Sequence, residues 1–415
     1  MDNKKRLVAE IDRLAPYLIE VSKKVHGFAE PGFEEFKSSE YCAGEMGRHG
    51  FKVKKPVANL ETAFRADFCR NSSGPAVAFC CEYDAIPDLG HGCAHNLIAA
   101  SAMGAGIGLS KISDLPGKVV VMGTPAEEGG AGKAVMIERG VWDDVDIGME
   151  IHAHPINHFT VSRTSNALQA FEVAFKGRGP EKHKPHYDEV SALDAAHLFL
   201  TGINMIREHI GVEARIQYLL RRVGGTCDST PLTASVEVWV RGGTIEYLNE
   251  LLHKVKTCAL GVSAAIGAEV VFRDLSPRFD PILQNLTLEG IILENIESLG
   301  LKFKPTQVMD DIIRYYAERS YHGPHQTDFG NVSQKMPAAH IKVGLGHEFA
   351  FHTPRAVEMA LSNQSHEVML QGAKVMALTA YDLLVSSERL ARCKDEFKKY
   401  KLGVKEVPSW HLEKW

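Results

Sequence analysis

Cysteine, histidine and carboxylate side chains that could do chemistry recur in four short segments of this 415-residue chain. The first reads Glu82-Tyr-Asp84-Ala-Ile-Pro and then His91-Gly-Cys93-Ala-His95-Asn. Thiolate and imidazole both bind zinc-like ions, and one intervening residue lets both reach a single ion from a loop. Taken alone, a cysteine near a histidine is also what an ordinary core contains. The second segment is Gly123-Thr-Pro-Ala-Glu127-Glu128-Gly-Gly-Ala-Gly-Lys133. Adjacent carboxylates repel and lose hydration when buried, an objection that a bound cation removes. One could then hold metal while its neighbour takes a proton from water; without metal the pair is a solvated acidic turn. In the third, Ile151-His152-Ala-His154-Pro, two histidines share one face of an extended chain, so either could be a ligand. The fourth, Phe351-His352-Thr-Pro, lies close to His340, His347 and His366, and composition alone does not single out His352.

Elements that would position these groups can be read from periodicity. Apolar runs at Ala76–Phe79, Lys118–Met122 and Val145–Ile151 each lead into one of the chemistry-bearing loops. Helices are expected at Asn96–Leu109 and Ala134–Glu138, after an opening helix marked by Leu14, Leu18, Val21 and Val25 and another over Ser38–His49. Strand, loop and helix in repetition predict an α/β sheet with its site at the strand ends. The middle of the chain changes character. Strands at 167–176, 214–221, 232–241 and 268–273 alternate with helices at 190–209 and around Ile245, Leu248, Leu252, Val255 and Ala259. That β-α-β-β-α-β order is ferredoxin-like. The α/β pattern returns near residue 282 and closes with a helix over Asn363–Val385 and a polar, lysine-rich tail. The expected architecture is a catalytic domain of residues 1–166 and 282–415, its mixed sheet flanked by helices, interrupted by a smaller α+β domain at 167–281.

Bulk composition narrows the class. Apolar residues make up 45% and charged residues 24%, ordinary for a globular protein, and a net charge of −5 argues against nucleic acid as a partner. The charged N-terminus lacks the apolar run of a signal peptide, and Leu97–Leu109 is too short to span a bilayer. The expectation is a cytoplasmic protein with no membrane partner. Eight cysteines, at 42, 69, 80, 81, 93, 227, 258 and 393, are scattered without the pairing of a disulfide scaffold.

Together these segments resemble the metallopeptidase and amidohydrolase superfamily of aminoacylase and carboxypeptidase G. Its branch of auxin-conjugate hydrolases and aminobenzoyl-glutamate hydrolases is the most similar. The resemblance runs from His26-Gly-Phe-Ala-Glu-Pro-Gly-Phe-Glu-Glu35 through the four segments above and Thr327-Asp-Phe-Gly-Asn-Val332 to the final helix. It implies a zinc-peptidase-like catalytic domain and an inserted lid that also mediates dimerisation. Cys93, His95, Glu128, His152 and His352 match the family's metal ligands, Glu127 its general base, and Asp84 the aspartate that orients the site. His152 is preferred to His154 by the family's spacing to the following proline. For the lid histidine His183 is the nearest match, with His186 as the alternative. Where relatives carry a lid asparagine, this chain has Asp228 or Ser229.

The implied reaction is attack of an activated water on a C–N bond, with one or two divalent ions (zinc or manganese, with cobalt possible). The expected substrate is a small carboxylate-bearing N-acyl or aroyl amino acid, with Arg241, Arg314 and Arg355 as candidate carboxylate partners. One alternative keeps the same water and replaces the amine of an electron-poor aminoaryl acid by hydroxyl. Another, from a different class, is a catalytically silent binding protein on the same fold.

Overall fold

The computed structural model describes residues 2–70, 74–162, 164–180, 188–226, 228–304, 326–346 and 349–401. The described residues of Met1–Thr164, Ile282–Thr306 and Asp328–Trp415 form one compact unit, and those of Ser165–Pro281 and Gln307–Thr327 form a second.

In the first unit, α1 (Asn3–Phe28) and α2 (Phe36–Arg48) precede three strands, β1 (Lys52–Lys54), β2 (Phe64–Cys69) and β3 (Ala76–Cys81). Then come α3 (His95–Ser110), β4 (Lys118–Gly123), α4 (Gly132–Glu138), β5 (Ile147–His154) and β6 (Phe159–Val161). The seven strands are ordered β1-β2-β4-β3-β5-β11-β6, with β11 spanning Ala338–Gly344. Strands β4, β3, β5 and β11 run parallel, and antiparallel pairs close both sides, so the sheet is mixed. Every residue of β3 is buried, because the central strands are covered on both faces. On one face Phe79, Val121, Ile341 and Val343 meet the apolar stripe of α1, the small-residue helix α3 and α10 (Asn363–Val385). On the other, Ala78, Val120 and Met122 pack with Trp142, Phe329 and Val332. The remaining helices are α7 (Leu286–Ser298), α8 (Phe329–Lys335), α9 (Pro354–Met359) and α11 (Ser387–Lys401).

Helix α11 corrects the expectation of a tail after Val385. Leu390 and Cys393 are buried, and Glu396 accepts hydrogen bonds from the backbone N–H groups of Leu286 and Thr287 at the start of α7. A short apolar stripe and one capping carboxylate suffice to dock a helix that is otherwise highly charged. Helix α10 is long and apolar enough to cross a membrane by length and composition alone, but most of it is buried in the core.

The second unit contains β7 (Ala167–Lys176), α5 (Ala192–Arg207), β8 (Arg215–Val223), β9 (Thr233–Gly242), α6 (Ile245–Ile266) and β10 (Glu269–Asp274). Its antiparallel sheet has the order β10-β7-β9-β8, the ferredoxin-like arrangement. Alternate residues of β9 (Val236, Val238, Val240) face a separate core with Leu248, Leu251 and Val255 of α6.

Two close approaches require glycine. A Cβ at Gly104 of α3 would stand 2.7 Å from the Leu18 side chain of α1, and one at Gly123 only 2.1 Å from the Phe64 ring. Gly123 ends β4 just before the Glu127–Glu128 loop, and the Phe64 ring is fully buried. Gly123→Ala is therefore expected to lower the unfolding free energy by about 1–3 kcal/mol, measured by urea denaturation.

Candidate metal centre

Three loops at the carboxyl ends of parallel strands and a turn before α9 bring the chemical groups of the first unit together. The loops after β3 and β4 and the turn before α9 each use a residue in the left-handed region, whereas His152 sits within β5 itself. Ala94 (φ 60°) lies between Cys93 and His95, Ala126 (φ 59°) precedes Glu127, and His352 is itself left-handed (φ 59°). Non-glycine residues take this conformation at a cost of about 1–2 kcal/mol, so the fold must enforce it. The Glu35 carboxylate does so at the second loop, accepting a hydrogen bond from the Ala126 N–H at 2.8 Å.

Cys93, His95 and His152 form one group whose ligand atoms all lie within 4.8 Å of one another. Cys93, Glu128 and His352 form a second, and His95, Glu127 and Glu128 a third. The Cys93 Sγ is 3.3 Å from His352 Nε2, which is 3.6 Å from Glu128 Oε2. The structure thus assembles Cys93, His95, Glu127, Glu128, His152 and His352, while His154 is in none of these groups. Both His152 and His154 pack edge-on against the Phe351 ring.

Asp84 organises the constellation. Its Oδ1 accepts from His95 Nδ1 at 2.8 Å and its Oδ2 from the Glu128 N–H at 3.0 Å. Holding one proton on Nδ1 leaves Nε2 as the atom a cation would take, in place of the second proton that the surrounding carboxylates otherwise favour. That atom is buried without a hydrogen bond and faces Glu82, Glu127 and Glu128 at 3.4, 3.9 and 4.0 Å. Glu128 Oε1 is likewise buried and without a partner. Orphaned lone pairs on imidazole and carboxylate, beside a thiol, form a donor set that fits a divalent cation.

Electrostatics agree with that fit. Burial and the neighbouring Glu82 and Glu128 charges push the Glu127 carboxyl well above the usual range. Burial likewise raises the Cys93 thiol, and it lowers His152 to about 4. Burial works against a charged His95, yet Asp84 and Glu82 hold its pKa well above the ordinary value. A cation here would offset the repulsion that raises Glu127 and favour the thiolate.

Beside the candidate ligands lies a buried ion cluster that sequence reasoning missed. Lys133, fully buried, donates to Glu82 and to Asp328 at 2.5 Å, and Glu150 is 3.6 Å away. Burial opposes its charge, but the three carboxylates keep it protonated, and Lys133 in turn holds Glu82 down to about 2 against its own burial. The lysine at the end of the glycine-rich loop was visible in the sequence, but its partners are 51, 17 and 195 positions away. Another undetected cation is Lys342 of β11, paired in register with His152 and lowered to about 8 by burial.

Other anticipated residues fall elsewhere. His183, His186 and Arg314 lie outside the described residues. Arg241 belongs to the second unit, hydrogen-bonded to Gln326 (2.8 Å) and Gln217; burial and Arg215 lower it to about 10. Asp228 is exposed and accepts from Thr226. Arg355 is exposed and paired with Glu358 at 2.9 Å.

A mixed α/β fold with this donor set at its strand ends fits a metal-dependent hydrolase acting on carbon–nitrogen bonds, and the chain belongs to the M20 metallopeptidase family. Over 95% of its length it is 30% identical to the Xaa-Arg dipeptidase of Mus musculus, covering 92% of that protein. It is 29% identical to one component of the p-aminobenzoyl-glutamate hydrolase of Escherichia coli (strain K12), with 91% of each chain covered. A dinuclear metal-binding peptidase of the M20 family from Bacillus subtilis superposes with a TM-score of 0.65 at 20% identity, over 90% of this chain and 99% of that one. No family model matches the sequence.

Two measurements check these electrostatics. Lys133→Met leaves three carboxylates around an apolar side chain and is expected to cost about 3–5 kcal/mol of stability in urea denaturation. Burial pushes the Glu35 carboxyl up from its ordinary 4.5 to about 8. The folded state therefore holds more protons than the unfolded chain across that interval, and the contribution of Glu35 to stability falls as pH rises through it. Glu35→Gln removes that dependence. The unfolding free energy of the metal-free variant, relative to the parent, should increase from about pH 5 to about pH 8.

Proposed function

We propose that the protein hydrolyses the amide bond of a small N-acyl or aroyl amino acid, of the aminobenzoyl-glutamate type. The observation that carries this reading is the buried Glu127 carboxylate, 3.9 Å from the lone-pair nitrogen of His95 and next in sequence to Glu128. Cys93, His95, Glu128, His152 and His352 would hold one or two divalent ions, with zinc favoured by thiolate and imidazole and manganese or cobalt acceptable to the mixed set. A bound ion supplies Lewis acidity to water and to the scissile carbonyl. Glu127 takes the proton from the attacking water and returns it to the departing nitrogen. A raised carboxyl pKa suits both halves of that transfer, because it brings the group closer to the working pH. Asp84 keeps His95 in the ligating tautomer and holds the backbone of Glu128 in place.

The second unit is read as the lid. Arg241, with no carboxylate partner among the described residues, supports a role in meeting an anionic substrate group. The exposed Leu219, Leu220 and Val223 on edge strand β8 support self-association through this unit. A second reading, hydrolysis of a dipeptide with a basic C-terminal residue, is favoured by one observation. Glu189, Asp194 and Asp228 line one cleft of this unit, and the murine relative is named as a Xaa-Arg dipeptidase. Ammonia release from an aminoaryl acid finds no support among the relatives.

The test is an assay of metal-loaded protein and its Glu127→Gln variant against 4-aminobenzoyl-glutamate and alanyl-arginine, reading free amino acid. Loss of about 10²–10⁴-fold in kcat in the variant is expected, together with loss of activity on chelation and recovery with zinc, manganese or cobalt. A variant as active as the parent would remove Glu127 from the mechanism.

A further inference from the structure

Lys342, partly buried, stands out among the cations of the first unit that are withdrawn from water. Lys133 pairs closely with Glu82 and Asp328, and Arg65 with Asp67 and Asp144. Among the described residues Lys342 makes no hydrogen bond or ion pair. Its position follows from strand register. In the parallel pair β5–β11, Glu150 faces His340 and His152 faces Lys342; Thr160 of β6 stands on its other side. Paired residues share a face of the sheet. Glu150 and His340 meet at 3.4 Å and the His152 and His340 rings at 5.4 Å, so this is the face that carries the ligand His152. Ile341 and Val343, on the opposite face, belong to the apolar core. The positive charge of Lys342 acts on the His152 ring.

An ammonium half withdrawn from water with no counter-charge is unfavourable, and it persists where an anion completes the site. The surroundings make the need sharper. Glu82, Asp84, Glu127 and Glu128 converge on His95, and their field repels any anionic substrate before metal is counted. The carboxylate of an N-acyl α-amino acid is two bonds from the nitrogen that is cleaved. A cation in register with a ligand histidine is therefore placed for a group beside the scissile bond, not for a remote one. We propose that Lys342 receives the α-carboxylate of the substrate's amino-acid half and so selects N-acyl amino acids over their neutral amides. This rests on the amide-hydrolase reading above, and it assigns the recognition of that carboxylate to the sheet, not to Arg241.

Calorimetric binding tests it without turnover, in metal-loaded Glu127→Gln protein. The probes are 4-aminobenzoyl-glutamate and alanyl-arginine, each beside its α-carboxamide. The parent background should prefer at least one acid over its amide by about tenfold or more. Adding Lys342→Met should abolish that preference while changing the affinity of the amide by less than about twofold. Adding Lys342→Arg should retain part of it. Lys342 has no partner within the described chain to lose, so the variants are expected to fold, and unchanged thermal unfolding checks this. A preference that survives Lys342→Met, or disappears in Arg241→Met instead, overturns the assignment. Equal weakening of acid and amide overturns it as well. Failure of the parent background to bind either probe pair would sink the amide-hydrolase reading itself, and the assignment with it.

Discussion

Negative charge brought together in a dry place is the constraint on which this structure turns. Glu82, Asp84, Glu127 and Glu128 surround one imidazole, and Glu82, Glu150 and Asp328 surround one ammonium. Carboxylates at such separations are tolerated only when protons, cations or hydrogen bonds offset them. Lys133 supplies an internal cation beside the candidate ligands. The front is left to a divalent ion, and the orphaned His95 Nε2 and Glu128 Oε1 show where its bonds would go. Neutral partners would have made this part of the fold more stable and removed its chemistry.

The backbone around the site follows from that requirement. Parallel strands β3, β4 and β5 end at one edge, so candidate ligands remote in sequence converge. Left-handed residues at Ala94, Ala126 and His352 then aim individual side chains inward. The strain is held by contacts that have no catalytic part. Glu35 anchors the Ala126 N–H, and the Gly32 backbone lies against Ala126 so closely that a Cβ there would come within 2.9 Å. The segment Gly32–Glu35 is thus a support for the Glu127 loop. Rigidity at this level is what would let the adjacent carboxyl groups of Glu127 and Glu128 face different tasks.

Much of the architecture was legible in the chain itself. The period-3.6 stripe of α1, the apolar runs of β3, β4 and β5 and the alternation along β9 each follow from which faces meet water. Helix α11 was not legible, because a charged segment docks through two side chains and one cap that periodicity weighs too lightly. Cys93-x-His95 and Glu127–Glu128 each allowed metal-ligand chemistry without requiring it, because neighbouring residues on a loop can share a site but an ordinary core or a solvated turn reads the same. His152 and His154 could not be separated locally, since alternate residues of a strand point the same way.

What the sequence by itself determined is therefore the set of short-range relations: ligand types at fixed spacing, the elements that carry them, and the order of those elements. Tertiary structure alone decided which distant groups meet. It placed Lys133 among carboxylates from three other segments and gave Asp84 both the His95 ring and the Glu128 backbone. It also set an unpaired Lys342 beside His152 by the register of two strands almost two hundred residues apart. The physical reason is that charge and coordination depend on separation through space. A sequence states that separation only for neighbours, and the packed sheet sets it for the rest.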